Sequence, residues 1–355
     1  MSDATALDWE YDGPVIEAEG LSKHFPQESG LVHSLLGGET SYVKAVSEVD
    51  VAVEPGETVG LVGESGCGKS TLGEVLIGLQ EPTGGTIRFL GRELSAMDDT
   101  ERREFRRNVQ MIFQDPYESL NPRFSVREWV REPLEIHGID DKQRRVAQAL
   151  RRAELTPPEQ FLDQHPHELS GGQRQRVSIA RALVLEPRFV VADEPVSMLD
   201  VSVRASILSL LERLVEELDM GALYISHDLS LIRQMCDRTN VMYLGEIVEH
   251  GPTERIVRDP QHPYSRALLD AVPVPNPHEN VSEPPLSGEP PDPVDLPEGC
   301  NFAPRCPFAA AECAEEPPVD AYVDDDGLRE AACWRIDEIA ADAVPDADLS
   351  VASDH

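Results

Sequence analysis

Short apolar runs alternate with helix-like segments along most of the chain, and this alternation predicts an α/β fold around a parallel sheet. The apolar run ETVGLVG at 57–63 predicts a buried strand that leads directly into a glycine-rich turn. The next segment, KSTLGEVLIGL at 69–79, has helical spacing. Strand patterns return in RFVVADEP at 188–195 and in GALYISHD at 221–228, each before a helical segment. Together these patterns predict repeated strand–helix units.

Three further parts surround these units. Alternating patterns in VIEAEGL at 15–21 and YVKAVSEVDVAV at 42–53 predict an antiparallel β edge whose strands flank a long loop. Residues of about 115–185 have a mostly helical pattern with proline and glycine interruptions, which predicts a helical insert. After Gly251 the chain becomes rich in proline, and the run VPVPNPHENVSEPPLSGEPPDPVDLPEG at 272–299 cannot sustain a helix or a central strand, which predicts a linker or an extended wrap.

These changes in pattern set the predicted domain boundaries. We expect a flexible tail at 1–14, a nucleotide-binding domain at 15–255, a cysteine-containing C-terminal region at 256–336 and an acidic tail at 337–355.

The chain lacks an apolar run that could cross a bilayer. RFVVA is typical of its longest apolar runs, whereas a membrane-spanning helix needs about 18 or more such residues. The first residues, MSDATALDWEYDG, are acidic and have no signal-peptide pattern. We therefore expect the chain to stay in the cytoplasm and to act at a membrane only through partner chains.

The charge is strongly acidic throughout. The chain has 66 Asp and Glu against 31 Lys and Arg, for a formal net charge of −35. The composition, with few lysines, resembles that of proteins from a salt-loving archaeal cytoplasm; the alternative is an ordinary acidic protein with a disordered tail. Either way, the charge argues against a nucleic-acid surface, which requires a basic stripe.

One motif predicts phosphate binding. The run GESGCGKS at Gly63–Ser70 matches the pattern G-x-x-x-x-G-K-[ST] and lies between a predicted strand and a predicted helix. Backbone N–H groups of such a loop face phosphates at a helix N-terminus, while Lys69 supplies a cation and Ser70 a hydroxyl for Mg²⁺. The predicted ATP-binding residues here are Gly63, Glu64, Ser65, Gly66, Cys67, Gly68, Lys69, Ser70 and Thr71.

A second motif predicts hydrolysis. Four apolar residues, Phe189 to Ala192, precede Asp193 and Glu194 at the end of a predicted strand. Asp193 is placed to hold the metal ion, and the carboxylate of Glu194 can orient the attacking water and accept its proton.

A third run, ELSGGQRQR at 168–176, resembles the signature motif of the ATP-binding-cassette family. The resemblance covers residues 15 to about 250 and implies a head-to-tail dimer in which this motif completes the ATP site of the partner. The residues implied at the partner's ATP are Ser170, Gly171, Gly172 and Gln173.

The family's other landmarks occur in order along the chain. Gln114 in FQDP resembles the residue that senses Mg²⁺, Asp200 in SMLD matches the D-loop, and His227 in ISHD matches the histidine that contacts the γ-phosphate. Phe25 lies where the family stacks an aromatic ring on adenine. The family thus implies an ATPase in which Lys69, Glu194 and His227 are catalytic.

The resemblance narrows to one branch of the family. QDPYESLNPR at 114–123, HPHELSGGQRQRVSIARAL at 165–183 and the C-terminal runs HPYSRALLDAVP and GCNFAPRCPFA resemble the ATPases of oligopeptide, dipeptide and nickel importers. That group implies a sister ATPase, two membrane permeases and an external solute-binding protein, with this chain peripheral on the cytoplasmic face. The solute is chosen by those other chains. Competing functions are a soluble cassette ATPase of DNA repair or translation, and a redox-regulated binding module.

Four cysteines cluster near the C-terminus, and their spacing is C-x₅-C-x₆-C-x₁₉-C. Structural zinc sites favour tighter C-x₂₋₄-C pairs, so zinc fits this spacing poorly. Four thiolates suit a [4Fe–4S] cluster, which some members of the import group bind here, although neither familiar ferredoxin spacing is present. Unliganded structural thiols are the third alternative. The expected cluster ligands are Cys300, Cys306, Cys313 and Cys333.

The acidic charge generates a prediction about salt. As KCl rises from tenths molar to molar, screening shortens the reach of the self-repulsion, so the melting temperature should rise. A thermal melt across that series measures it. A melting temperature that is flat or falls would contradict the salt-adapted interpretation and favour the ordinary acidic protein.

Overall fold

The structure is a computed structural model. It describes residues 11–27, 41–115, 121–271, 288–294, 296–320, 322–324 and 327–336. The predicted acidic tail, most of the predicted N-terminal tail and most of the predicted long loop lie outside these residues.

Twelve strands and nine α-helices occur within the described residues. The strands are β1 Ile16–Pro26, β2 Tyr42–Val53, β3 Thr58–Val62, β4 Gly84–Phe89, β5 Arg92–Glu93, β6 Val109–Ile112, β7 Phe189–Asp193, β8 Gly221–Ser226, β9 Arg238–Tyr243, β10 Glu246–Pro252, β11 Tyr322–Val323 and β12 Glu330–Ala331. The helices are α1 Lys69–Leu76, α2 Asp99–Asn108, α3 Val126–Ile136, α4 Lys142–Arg152, α5 Gly171–Leu183, α6 Val201–Leu218, α7 Leu229–Met235, α8 Thr253–Arg258 and α9 Pro263–Asp270.

The central sheet has eight strands in the order β11-β12-β10-β9-β3-β8-β7-β6. Strands β9, β3, β8, β7 and β6 are parallel, with Val59 opposite Leu223 and Val190 opposite Ala222. Every residue of β7 and β8 is buried. Burial on both faces explains why these strands are continuous apolar runs rather than alternating ones.

A smaller antiparallel sheet, in the order β2-β1-β4-β5, covers one side of the core. Its inner residues share a buried cluster with α1 and the strands of the central sheet, including Val46, Leu61, Leu72 and Leu223. The predicted antiparallel β edge is confirmed.

The region between β6 and β7 is a helical subdomain with its own core. Helices α3, α4 and α5 bury residues such as Trp129, Leu150 and Val177 against each other. Ser125 and Glu128 form a capping box that starts α3. The predicted helical insert is confirmed, whereas strand β6 at its start was not predicted, because VQMI is short and has no alternation.

The C-terminal region extends the central sheet instead of forming only a linker. Strand β12 pairs antiparallel with β10, and β11 pairs with β12. The buried carboxylate of Glu249 in β10 accepts hydrogen bonds from the backbone N–H groups of Gln261 and His262, both at 2.9 Å, and so fixes the approach to α9. This part of the chain is therefore joined to the nucleotide-binding core by backbone pairing.

Candidate active site

Three parallel strands end at the same edge of the central sheet and bring the predicted motifs together. Strand β3 leads into the phosphate-binding loop (Gly63–Ser70), β7 ends at Asp193, and β8 is followed by His227. Because neighbouring parallel strands share a direction, loops that are far apart in sequence meet at this edge. The ends of these three strands thus meet beside one cavity.

The phosphate-binding loop packs closely against β2 just before α1 begins. Gly68 has φ of 105°, and a Cβ atom there would lie 1.9 Å from the carbonyl oxygen of Ala45, so only glycine fits. The N-terminal N–H groups of α1 have no partner within the helix, and they give this end a partial positive charge that favours anions.

Lys69 is buried at the start of α1. Its ammonium group donates hydrogen bonds to the carbonyl oxygens of Gly63, at 2.8 Å, and Glu64, at 2.7 Å. These carbonyls hold the cation at the loop, where a bound phosphate would compete for it.

A cavity of about 600 Å³ opens in front of the loop. It is lined by most of the residues that the sequence assigns to ATP: Phe25, Ser65, Gly66, Cys67, Gly68, Lys69, Ser70, Thr71, Gln114, Glu194 and His227. Gly63 and Glu64 do not line it. The backbone N–H of Glu64 instead donates to the hydroxyl of Tyr264, at 2.8 Å, behind the loop.

Phe25 lines the cavity together with Val43, its partner in the small antiparallel sheet. The ammonium of Lys23 lies 5.0 Å from the centroid of the Phe25 ring. This partly buried aromatic face is suited to stacking on a base.

Asp193 and Ser70 provide a place for Mg²⁺. Burial raises the pKa of the Asp193 carboxyl and the nearby Glu194 charge raises it further, while a hydrogen bond with Ser70 opposes the shift. Oδ1 of Asp193 is buried without a hydrogen-bond partner among the described residues. A buried carboxylate oxygen without a partner beside a hydroxyl fits a hard cation that takes oxygen ligands.

Glu194 lies at the centre of a polar trio. It has φ of 42°, an uncommon conformation for a non-glycine residue. Its carboxylate accepts a hydrogen bond from Nε2 of Gln114, at 3.0 Å, and lies 2.8 Å from Nδ1 of His227. A carboxylate fixed from both sides at the cavity wall can hold a water in line with a terminal phosphate.

The signature residues lie apart from this cavity. Ser170 caps α5 by accepting from the N–H of Gln173, at 3.3 Å, and is itself exposed. A Cβ atom on Gly172 would lie 2.7 Å from Cγ1 of Val203, so glycine allows α5 to approach α6. Asp200 caps α6 and is also exposed. None of these residues lines the cavity in front of this chain's own loop.

The four C-terminal cysteines gather but do not form a metal-binding group in this structure. All four are free and half-buried. Burial raises the pKa of Cys300 and of Cys306 to about 11. Among the described residues, no three His, Cys, Asp or Glu side chains are arranged to hold a metal ion. The expected metal centre therefore has no support from the coordinates.

Two residues that sequence analysis missed contact the loop from the C-terminal region. Tyr264 binds the backbone of Glu64, and Arg305 binds its carboxylate. Both lie in the C-terminal runs HPYSRALLDAVP and GCNFAPRCPFA that carry the resemblance to importer ATPases, but neither run indicates a contact with the phosphate-binding loop. The one signal for such a contact was an acidic residue inside a loop that binds anions.

Within the described residues, no helix is both long enough and apolar enough to cross a membrane.

Together, the sheet edge, the phosphate-binding loop and the acidic pair define a P-loop nucleoside triphosphatase. Residues 46–197 match the family model for ABC transporters, and residues 248–313 match the model for the C-terminal region of oligopeptide/dipeptide transporters. The chain belongs to the ATP-binding-cassette (ABC) transporter family, whose ATP-binding proteins are ATPases coupled to transport.

Individual relatives agree with this assignment. The putative oligopeptide transport ATP-binding protein YkfD of Bacillus subtilis is 46% identical over 314 residues, covering 86% of this chain and 91% of the relative. The oligopeptide transport ATP-binding protein OppF of Salmonella typhimurium is 43% identical over 311 residues, covering 86% and 92%.

Solved structures share the fold. The ATP-binding cassette MJ0796, in a dimeric post-hydrolysis state bound to ADP and Pi, has a TM-score of 0.57 and 30% identity, covering 67% of this chain and 98% of that one. CbiO1 of Clostridium perfringens, part of an ABC transporter complex, has a TM-score of 0.59 and 27% identity, covering 70% and 92%.

The trio around Glu194 generates the second prediction. Glu194→Gln should bind ATP as the wild type does but lose hydrolysis by on the order of 10²-fold or more, because an amide cannot accept the water's proton. Turnover of the assembled complex measures this, and an ATP-bound dimer should accumulate. Glu216→Gln, an exposed change on α6, is the control. Near-native turnover of Glu194→Gln would exclude Glu194 as the base.

Proposed function

We propose that this chain hydrolyses ATP to energise the import of oligopeptides or dipeptides, as a peripheral subunit on the cytoplasmic face of the cell membrane. The observation that carries the proposal is the C-terminal match at residues 248–313, on a chain whose relatives are named for oligopeptide transport. The nucleotide-binding domain alone would be compatible with a transporter for any solute.

The roles proposed at the ATP site follow from the cavity. The loop amides and Lys69 bind the phosphates, Phe25 stacks on the base, and His227 holds the γ-phosphate. Ser70, Gln114 and Asp193 would hold Mg²⁺, whose positive charge would stabilise the negative charge of the phosphates during transfer. Glu194 orients the attacking water and accepts its proton.

The signature segment acts in trans in this proposal. Ser170 is exposed and, like the first residues of α5, does not line the chain's own cavity, so this helix start is available to a γ-phosphate held by a second ATPase. Met198 and Val201 next to the D-loop are 66% and 81% exposed, so they leave apolar surface for that partner. We propose a sister ATPase as partner, two permeases and an extracellular solute-binding protein.

The rival functions have weaker support. A net charge of −35 does not suit a DNA repair or ribosomal ATPase that contacts nucleic acid. A redox-regulated binding module without turnover would not need the trio of Gln114, Glu194 and His227.

Two sequence expectations belong with this proposal. The nucleotide-binding domain spans 15–255, with the helical subdomain at about 115–185, and the C-terminal region spans 256–336. The acidic composition is an adaptation to a salt-rich cytoplasm, and the net charge of −35 supports this interpretation.

We further propose a [4Fe–4S] cluster on Cys300, Cys306, Cys313 and Cys333. The support is the sequence: four cysteines supply the four thiolates that such a cluster requires, and their spacing C-x₅-C-x₆-C-x₁₉-C is wider than that of the pairs typical of zinc.

Stimulation of turnover tests the proposed function. The chain, a sister ATPase and the two permeases are assembled in vesicles, and ATP hydrolysis is measured with the binding protein loaded with a peptide. Peptide should stimulate hydrolysis, whereas the free amino acids of the same peptide should not. Stimulation by Ni²⁺ alone would move the chain to the nickel importers, and stimulation by DNA or ribosomes would revive the rivals.

The signature segment generates the third prediction. Ser170→Arg should leave ATP binding by this chain unchanged but block closure on the sister's nucleotide, because the larger cation replaces the cap that faces the partner's γ-phosphate. Calorimetry on the single chain and turnover of the complex measure the two effects. Ser209→Arg, an exposed change on α6, is the control. Loss of ATP binding by the isolated Ser170→Arg chain would contradict the head-to-tail arrangement.

The cysteine cluster generates the fourth prediction. Anaerobically purified protein should be brown, with about four irons per chain. Cys306→Ser should bleach it and expose the C-terminal region to protease, whereas Cys236→Ser in the buried core should keep the colour. Colourless protein with one zinc, or metal-free protein with this region still protected, would contradict the cluster.

A further inference from the structure

The phosphate-binding loop carries a negative charge of its own at Glu64. A carboxylate in this position is unfavourable beside the phosphates of ATP, since like charges repel strongly at the edge of a protein interior. Glu64 does not line the cavity, and its side chain is partly buried, with 26% of its surface exposed. The negative charge of Glu64 therefore requires a cationic partner outside the cavity.

That group is Arg305, from the C-terminal region. Nη1 and Nη2 of Arg305 donate to the two carboxylate oxygens of Glu64 at 2.7 and 3.0 Å, which makes the pair bidentate. The Arg305 side chain is only 4% exposed. Breaking such a buried pair by removing one partner leaves an uncompensated charge, so this contact fixes where Glu64 points.

Aromatic residues hold Arg305 in place. Its Nη1 also lies 3.4 Å from the hydroxyl of Tyr243, and Phe302 packs edge-on against the Tyr243 ring with centroids 5.3 Å apart. Phe302 packs against Tyr264 as well, at 5.5 Å, and the hydroxyl of Tyr264 accepts from the N–H of Glu64. The C-terminal region thus binds both the side chain and the backbone of Glu64.

A single peptide unit connects the contacts at Glu64 with the loop that lines the cavity. The carbonyl oxygen of Glu64 accepts a hydrogen bond from Lys69, and the loop from Ser65 to Gly68 lines the cavity. Arg305 itself lies in a short turn between Cys300 and Cys306, where the N–H of Arg305 donates to the carbonyl of Phe302 at 3.0 Å. The cysteine segment is therefore adjacent to the ATP site, rather than outside it.

We propose that Arg305 is a positioning residue for ATP binding: it neutralises Glu64 and holds the phosphate-binding loop in its nucleotide-ready form. The inference rests on the proposed role of this loop in binding ATP. It assigns part of the C-terminal region to the nucleotide site, in addition to any role that the region has in transport.

The test measures ATP binding by the full chain, by calorimetry with Mg²⁺ and ATP, without permeases. Arg305→Gln should raise the Kd for ATP by about tenfold, within the usual range for coupling between sites. Adding Glu64→Gln to that variant should recover most of the lost affinity, because the unpaired charge is removed. Arg305→Lys keeps the positive charge but loses the planar guanidinium that binds both carboxylate oxygens of Glu64. Its Kd should therefore lie between those of the wild type and Arg305→Gln.

Arg329→Gln is the matched control. Arg329 is also a buried arginine of the C-terminal region, but its guanidinium donates to the carbonyl oxygen of Asp259, at 2.8 Å. Both glutamine variants should lower the melting temperature, and only Arg305→Gln should raise the Kd. If Arg305→Gln does not fold, the Kd of Arg305→Lys decides.

Three results would overturn the inference while leaving the proposed function intact. They are an unchanged Kd in folded Arg305→Gln, an equal rise in Arg329→Gln, and no recovery on adding Glu64→Gln. Failure of the wild-type chain to bind ATP would instead overturn the proposed function itself.

Discussion

The parallel alignment of β3, β8 and β7 is the constraint on which the site depends. Their register places the ends of the three strands at one edge, so that the phosphate-binding loop, Asp193 and His227 meet there. The strands are buried on both faces, so a one-residue shift of register would move every side chain to the opposite face, disrupt the packing on both faces and separate the candidate catalytic groups. Stability and chemistry are therefore fixed by the same backbone hydrogen bonds.

The C-terminal region depends on that sheet and in turn supports the site. Strands β12 and β11 continue the sheet beyond β10, while Arg305 and Tyr264 reach the back of the phosphate-binding loop. A part of the chain that marks one branch of the transporter family thus contacts the part that all ABC ATPases share. This arrangement gives the cysteine segment a short physical route to the nucleotide, through Arg305 and Glu64.

The sequence predicted what local spacing determines. The loop from Gly63 to Ser70, the acidic pair after β7 and the cap at Ser170 each depend on residues that are close in the chain, so their pattern is visible in one segment. The contact between Arg305 and Glu64 joins residues 241 positions apart, and no periodicity records such a pair. The short strands β11 and β12, two residues each, form only because β10 offers an edge, so propensity alone could not predict them.

Uptake of a labelled peptide into sealed vesicles tests ATP-driven import most directly. The vesicles contain this chain, its sister ATPase and the permeases, with the ATPases and ATP together on one side of the membrane and the loaded binding protein on the other. Peptide should accumulate on the side that holds ATP, against its gradient, and accumulation should stop when a non-hydrolysable analogue replaces ATP. Hydrolysis that proceeds without any peptide movement, in vesicles shown to be sealed, would contradict the proposed function.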